Sequence, residues 1–404
     1  GSFRTGDPLS FQTTARAILT DIELAGPLGE PLERAGGRYA FDDLDYASAV
    51  VFSPDGSLVY TAIQGAERIE VRDAFSFDVA GSIDDVGFAP QGVALSPDGK
   101  RLYIQAFLSR SVRVYDVTDL SSPPEPLADV PTITKEPLAP DVLLGKQIFY
   151  RSRDPRMSRT SYLSCASCHM DGEGDNLVWD FTQRGEGLRN TIPLTGRAGA
   201  AHGPIHWSSN FDEVQDFEHD IRGPMGGLGF LPDTIFHTGT RDTSLGDAKA
   251  GLSPELDALA AYVASLASFG ISPHRSQDPA FLASRAKGAD IFYSPEAGCA
   301  TCHAGPRFTD SAFGAGGEPV LHDVGTLGPG SGMRLGGPLP GIDTPTLRGL
   351  WSSAPYLHDG SAPSLREVLR DRNMGDKHGK TSHLSDADLA DLEVFLRTLD
   401  DAQP

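Results

Sequence analysis

Two stretches near the start of the chain alternate between apolar and polar side chains, as strands with one buried face do. Residues 51–60 and 94–103 carry the same Ser-Pro-Asp-Gly turn signal between apolar runs, with a period of 43 residues. Each copy continues into a second alternating run, which completes the pattern of a hairpin. A repeat of this length with several short strands is typical of β-propeller blades. We therefore predict an all-β part built from propeller-blade repeats over residues 1–120.

The pattern changes after this region. A Pro-rich segment at residues 121–140 predicts a stiff, extended linker. Later segments show helical spacing, the clearest at residues 384–399, where apolar side chains form one face. Residues 211–222 also give an apolar stripe at 100° per residue, and Glu218 points with that stripe. The chain is thus expected to be multidomain, with helical domains after the all-β part.

Composition narrows the class of protein. The net charge of −21 argues against nucleic acid as a partner, because phosphate binding needs a basic surface. The 45 glycines and 30 prolines predict many loops and exclude a simple helical bundle. The sequence offers no apolar run long enough for a transmembrane segment. The opening Gly-Ser pair, without a leader, is expected to be the remnant of a cleaved tag.

All four cysteines lie in two Cys-x-x-Cys-His motifs, the attachment sequence of c-type haem. The first motif is Cys165, Cys168 and His169, and the second is Cys299, Cys302 and His303. Two thiols on one helical turn can add to the haem vinyl groups, and the next histidine can then bind iron. A redox disulfide does not need that histidine, and zinc knuckles are usually closer together than these two motifs. The motifs predict two covalently bound c-type haems and a periplasmic or otherwise exported protein.

From about residue 143 onward the chain resembles the bacterial di-haem cytochrome c peroxidase and MauG family. The resemblance rests on both haem motifs, on Arg189-Asn190-Thr191, and on the string at residues 354–361. The all-β part resembles a partial YVTN-type propeller, because about 120 residues supply only two to three blades. We expect either an incomplete propeller or blades that pack on the haem domains or another chain. The resemblance implies two mainly α cytochrome c-like domains, over residues 141–280 and 281–404.

The family assigns roles to the two haems. The first haem would react with hydrogen peroxide with His169 as its proximal ligand, and the second, with His303, would transfer electrons. A calcium ion between them would be held by oxygen atoms of Asn190, Ser353 and Pro355. An ordinary turn residue is the alternative role for Asn190.

On the side of the first haem opposite His169, the sequence differs from the family's pattern. Classical members place a histidine at a position that is Thr182 here, which implies a first haem open to peroxide, as in MauG-type enzymes. Trp207 is the best match to the family's electron-relay tryptophan. A proton-transferring group is also needed, and Glu218 is the first candidate, followed by His206 and His219. The alternative for Glu218 is a salt bridge with Arg222.

The sixth ligand of the second haem is expected shortly after residue 361. Met374 and His378 are both candidates, and the sequence does not separate them. Methionine would raise the reduction potential, and histidine would lower it.

These observations predict a di-haem oxidoreductase that reacts with hydrogen peroxide. Its electrons would come from a periplasmic electron-donor protein or from an oxidised protein substrate, as in MauG. The alternative is a non-catalytic di-haem electron-transfer cytochrome, in which His206 or His219 closes the first iron and the propeller segment is a docking module.

Overall fold

The computed structural model describes residues 17–24, 29–41 and 44–402. The Gly-Ser pair and the rest of the predicted blade region before Ala17 lie outside these residues. An all-β region with antiparallel sheets comes first, and a part that contains helices follows, as the sequence predicted. Within the described ranges, no helix combines the length and apolar character needed to cross a bilayer.

The all-β region consists of short antiparallel strands joined in chain order. They are β1 (Ala17–Glu23), β2 (Leu32–Phe41), β3 (Ala47–Phe52), β4 (Leu58–Ile63), β5 (Arg68–Asp73), β6 (Val79–Asp84), β7 (Pro90–Leu95), β8 (Arg101–Ala106), β9 (Ser111–Asp116) and β10 (Pro126–Pro131). Strands β1 and β2 pair with each other. Strands β3 to β6 form one four-stranded sheet, and β7 to β10 form a second.

The repeated Ser-Pro-Asp-Gly signal makes the same turn in both sheets. In the β3–β4 turn the Ser53 hydroxyl donates to Asp55, 2.6 Å away, and accepts the backbone N–H of Leu58 at 2.9 Å. In the β7–β8 turn Ser96 donates to Asp98 at 2.6 Å and accepts the N–H that begins β8 at 2.9 Å. The glycine of each turn has a positive φ, which explains why glycine follows the aspartate.

The two four-stranded sheets pack face to face around an apolar core. Tyr60, Ile69 and Val71 of the first sheet are buried there against Leu102 and Ile104 of the second. Hydrophobic burial between the sheets is the main source of stability for this region.

Part of the Pro-rich segment at residues 121–140, predicted as an extended linker, belongs to a sheet. Its residues 126–131 form β10, which pairs with β9 at the edge of the second sheet. Proline is tolerated at a sheet edge because one side of an edge strand needs no donor. The extended conformation that proline favours is therefore used within a sheet.

The part of the chain after the sheets contains helices joined by long loops, with one small hairpin. Its elements are α1 (Pro140–Tyr150), β11 (Val178–Asp180), β12 (Leu188–Asn190), α2 (Glu218–Arg222), α3 (Asp233–Phe236), α4 (Pro254–Ser265), α5 (Pro279–Tyr293), α6 (Leu365–Leu369) and α7 (Asp386–Arg397). The chain divides into two compact units. The first unit contains the described residues up to Ser167 with Glu218–Pro232 and Ser253–Tyr262, and the second unit contains the rest.

A glycine allows a close helix crossing before each haem motif. Gly145 of α1 lies so near α4 that a Cβ atom there would overlap the backbone oxygen of Ala258. Gly288 of α5 lies equally close to the backbone of α7, where a Cβ atom would overlap the oxygen of Asp391. The two crossings explain why Gly-x-x-Ile-Phe precedes both motifs in the sequence.

The predicted apolar face at residues 384–399 is confirmed. It lies on α7, where Leu389, Leu392 and Phe395 are buried with Phe292 of α5. The Ser385 side chain accepts the N–H of Asp388, which caps the helix start.

Residues 211–222 do not form the single helix that the stripe predicted. A 3₁₀ turn at Val214–Phe217 precedes the short helix α2. The Asp216 carboxylate accepts the backbone N–H of Asp212 at 3.1 Å, and it also pairs with the buried Lys249 at 2.6 Å. A side chain that bonds local backbone favours a tight turn over a regular helix.

Replacing the crossing glycines should destabilise the protein. We expect Gly145→Ala and Gly288→Ala each to lower the free energy of unfolding by about 1–3 kcal/mol, because the added methyl group overlaps backbone. Gly316→Ala is the control, since no atom lies within 4 Å of a Cβ atom there. Thermal unfolding measures all three, and equal midpoints for the crossing variants and the control would contradict the close-crossing argument.

Candidate functional site

The second unit contains a cavity of about 300 Å³ around the second haem motif. The lining includes Cys299, Cys302 and His303, with His378 and Trp207. Most other lining residues are apolar, including several from α5, α6 and α7. A mainly apolar cavity with a few polar groups is the usual form of a cofactor site.

Two imidazole rings face each other in this cavity. The ring centroids of His303 and His378 are 6.2 Å apart. That separation accommodates one metal atom between the rings, because a metal–imidazole bond is about 2 Å long. Burial lowers the pKa of His303, and burial with the nearby charge of His303 lowers the pKa of His378 to about 4. Both rings are therefore neutral near pH 7, the form that binds metal.

Backbone and side-chain contacts orient these rings. The Nδ1–H of His303 donates to the carbonyl oxygen of Phe308 at 3.1 Å, which leaves Nε2 as the ligating nitrogen. The backbone N–H of His378 donates to the side chain of Asn373 at 2.8 Å. Met374, the other sixth-ligand candidate, is 72% exposed. Of the two candidates, the geometry brings His378 to His303 and leaves Met374 at the surface.

The residues of the cavity fit a c-type haem. Two thiols and two neutral imidazoles surround an apolar space, and Arg197 supplies a cation at its lining. Burial lowers the pKa of Arg197 to about 10, so it stays charged at neutral pH and can pair with a carboxylate. A haem offers an apolar ring with carboxylate substituents, which matches this set of side chains.

Trp207 is fixed at the edge of the same cavity. Its indole N–H donates to the backbone oxygen of Asn190 at 2.9 Å, and its own carbonyl oxygen accepts the N–H of Asp343 at 2.8 Å. The side chain is 8% exposed. The predicted relay tryptophan therefore lies next to the second haem motif with a defined orientation.

Two of the three predicted calcium residues are in contact in the second unit. The Asn190 side-chain amide contacts the backbone oxygen of Pro355, and its Oδ1 is buried without a hydrogen-bond partner among the described residues. Ser353 lines the same cavity as Asn190. These oxygen atoms are of the kind that a hard cation binds.

The first haem motif begins in the first unit. Cys165 starts a short 3₁₀ turn, and burial with the charges of Asp220 and Asp45 raises the pKa of its thiol to about 12. The thiol is thus protonated at neutral pH. Cys168 and His169 belong to the second unit. Burial lowers the pKa of His169 to about 4, so this imidazole is neutral as well.

His206 belongs to a polar network in the second unit. Its Nδ1 lies 2.7 Å from Oδ1 of Asn210, whose Nδ2 donates to the Glu186 carboxylate. Because a carboxylate oxygen only accepts, the Asn210 amide must present its oxygen to His206. The His206 Nδ1 therefore carries a proton in both the charged and the neutral ring, and in the neutral ring Nε2 is the basic nitrogen. His206 is near enough to His169 for its charge to contribute to the lowered pKa there.

Glu186 anchors this network. Arg184 donates to its Oε2 at 2.9 Å, and Ser208 donates to its Oε1 at 3.2 Å. Burial acts to raise the pKa of Glu186, but the charges of Arg184, His206 and Arg189 outweigh it, so the pKa lies below its usual value. The ionised carboxylate holds Asn210 in place and thereby sets the tautomer of His206.

Glu218 has a different environment. It is fully buried in the first unit, and its Oε1 accepts Arg222 at 2.7 Å and the N–H of Leu231 at 3.0 Å. Its Oε2 accepts the N–H of Phe230 at 2.8 Å. The sequence correctly placed this carboxylate on a buried face. These contacts favour the salt bridge that the sequence left as the alternative.

Sequence reasoning missed Glu186, Asn210 and Asp45. Asn210 stands three residues after Trp207, so its closeness to the tryptophan motif was a usable signal. Glu186 and Asp45 are separated along the chain from their partners, and no local pattern marks them.

The chain has relatives among known proteins. A family model described as "RoxA-like, cytochrome c-like" matches residues 341–374. Hydrazine synthase subunit gamma of Kuenenia stuttgartiensis is 29% identical over 284 residues, which are 62% of this chain and 76% of that protein. Methylamine utilization protein MauG of Methylorubrum extorquens is 28% identical over 67% of this chain and 81% of that protein. Cytochrome c551 peroxidase of Pseudomonas aeruginosa is 26% identical over 65% of this chain and 79% of that protein.

These relatives confirm the resemblance that the motifs indicated. The chain's homologues include MauG proteins and cytochrome c peroxidases. The relationship supports c-type haem as the cofactor and a peroxidase-like oxidoreductase as the class of protein.

Removing the Glu218 carboxylate should mainly affect stability. Glu218→Gln would place an NH₂ group against backbone N–H donors or against Arg222. We expect a loss of about 1–3 kcal/mol in the free energy of unfolding, the cost of unsatisfied buried donors. The exposed Glu296→Gln is the control. An unfolding midpoint unchanged in Glu218→Gln, together with a lost reaction with peroxide, would instead assign Glu218 to proton transfer.

Proposed function

We propose that the protein is a periplasmic di-haem c-type oxidoreductase that reacts with hydrogen peroxide at the haem of Cys165, Cys168 and His169. The second haem, at Cys299, Cys302 and His303, would exchange electrons with a donor protein or with an oxidised protein substrate. When bound, the first haem supplies the redox chemistry with peroxide. The observation that carries the proposal is the difference between the histidine environments of the two motifs.

The second motif has the features of an electron-transfer centre. His378 faces His303 with a centroid separation of 6.2 Å, inside an apolar cavity. His303 and His378 would together hold the second haem, which would supply electron exchange without binding substrate. Bis-histidine ligation would also give a lower potential than methionine ligation.

The first motif has the features of a reactive centre. The Asn210–Glu186 pair fixes the His206 tautomer with a proton on Nδ1, so Nε2 can accept a proton from peroxide and return it to the departing oxygen. We assign proton transfer to His206 rather than to Glu218, whose oxygens already accept three donors. Trp207, held at the second-haem cavity by Asn190, would pass electrons between the centres.

The calcium proposal rests on Asn190, Ser353 and Pro355. An ion bound by the buried Oδ1 of Asn190 and by backbone oxygens would hold β12 to the loop at residues 353–355. The hydrogen bond from Trp207 to Asn190 would link the ion to the relay residue.

The all-β region supports a second role, docking of a partner protein. The 43-residue repeat makes Tyr103 the counterpart of Tyr60. Tyr60 is 2% exposed because the second sheet covers it, whereas Tyr103 is 38% exposed on the outer face of that second sheet. We propose that the two sheets are propeller-type blades. The second sheet then presents outward the same face that the first sheet uses for packing.

The reaction with peroxide tests the enzyme directly. In the EPR spectrum of the resting ferric protein we expect one high-spin and one low-spin signal, with the high-spin signal changed by stoichiometric peroxide. His206→Ala should slow this reaction by about 10²–10⁴-fold, the usual contribution of an acid–base group. His237→Ala, at an exposed histidine, is the control. Two low-spin signals that ignore peroxide before and after one-electron reduction would refute the enzyme and favour the electron carrier.

The sixth ligand of the second haem can be tested separately. We expect His378→Ala to convert the low-spin signal of the second haem to high spin, because one axial imidazole is lost. Met374→Leu should leave both EPR signals unchanged, since that side chain is at the surface. The opposite pattern would assign the ligand to Met374.

A further inference from the structure

One buried carboxylate of the all-β region reaches the first haem motif. Asp45 precedes β3 and is 3% exposed. Its Oδ2 accepts the Ser164 hydroxyl at 2.7 Å, and its Oδ1 accepts the Ser167 hydroxyl at 2.6 Å. These two serines stand on either side of Cys165 and Ala166. The carboxylate therefore holds both ends of the turn that carries the first haem cysteine.

The loop between β4 and β5 is shaped to receive this carboxylate. A Cβ atom at Gly65 would overlap Oδ2 of Asp45, so glycine is required for the close approach. The carbonyl oxygen of Gly65 accepts the backbone N–H groups of Ser152 and Arg153 at 2.9 and 3.1 Å. The backbone beside Asp45 is thus held in place by hydrogen bonds from residues 152 and 153.

The charge of Asp45 has an unusual setting. Burial raises its pKa to about 6, and the serine hydroxyls act in the opposite direction. Among the residues that the structure describes, its partners are neutral serine hydroxyls, and no arginine or lysine pairs with it. A buried carboxylate without a cation is unfavourable unless it has a structural or electrostatic task. Its charge reaches the Cys165 thiol, because Asp45 contributes to the raised pKa of that group.

We propose that Asp45 is a positioning residue for the first haem, which holds the Cys165 turn and lowers the reduction potential of the haem attached there. A nearby negative charge stabilises the ferric state relative to the ferrous state, since the ferric state carries one more positive charge. The all-β region then contributes the Asp45 carboxylate to the haem centre, in addition to any docking surface. This inference rests on the proposed attachment of haem at Cys165.

The test is a redox titration of the holoprotein at pH 8. Asp45→Asn keeps the size of the side chain and removes its charge. We expect the midpoint potential of the first haem to shift upward and that of the second haem to stay constant. Asp84→Asn, at an exposed aspartate of β6, is the matched control and should leave both potentials unchanged. An unchanged first-haem potential in fully loaded Asp45→Asn would overturn the proposal.

A second variant is needed in case Asp45→Asn does not attach haem at Cys165. Ser167→Ala keeps the carboxylate but removes a hydroxyl that lowers its pKa, so the first-haem potential should rise by less than it does in Asp45→Asn. A rise larger than that of Asp45→Asn would contradict the electrostatic role. Intact mass spectrometry counts the attached haems in every variant. Two haems without a reaction to peroxide would refute the proposed function and leave the Asp45 shift measurable, whereas no haem at Cys165 would refute both.

Discussion

Before each haem motif, two helices cross so closely that only a glycine fits at the point of contact. Gly145 brings α1 against α4, and Gly288 brings α5 against α7, in each case a short way before the cysteines. Any larger residue would separate the helices and displace the turn that follows. In the second unit the effect is visible directly, because Phe292 at the end of α5 packs with the buried face of α7 and lines the haem cavity. The packing of these helices therefore also sets the shape of the cavity at the second haem motif.

The two histidine environments differ in what they offer to a ligand. The second motif presents neutral imidazoles to an apolar cavity, which suits a haem held by both histidines. His206 instead belongs to a chain of hydrogen bonds that ends on an ionised, arginine-paired Glu186. Such a chain holds a proton on one nitrogen and leaves the other basic. The proposed division between a reactive centre and an electron-transfer centre follows from this difference in polarity.

The all-β region is connected to the proposed chemistry in the first unit. Its sheets are stabilised by their own apolar core, yet Asp45 and Gly65 are devoted to the turn around Cys165. A region that served only to bind a partner would not need a buried carboxylate at that turn. The exposed outer face of the second sheet, with Tyr103, is a separate feature and could act independently of the haem contact.

The sequence alone determined the features that depend on neighbouring residues. The Cys-x-x-Cys-His motifs, the repeated turns at Asp55 and Asp98, and the apolar face of α7 are all encoded within a few residues of each other. The stripe at residues 211–222 was less reliable, because Asp216 bonds local backbone and the distant Lys249. Only the tertiary structure decided which of Met374 and His378 faces His303. It also decided which groups donate hydrogen bonds to Glu218, and it brought Asp45 to the serines beside Cys165. Those outcomes depend on side chains far apart in the chain, whose meeting is set by packing that no local pattern records.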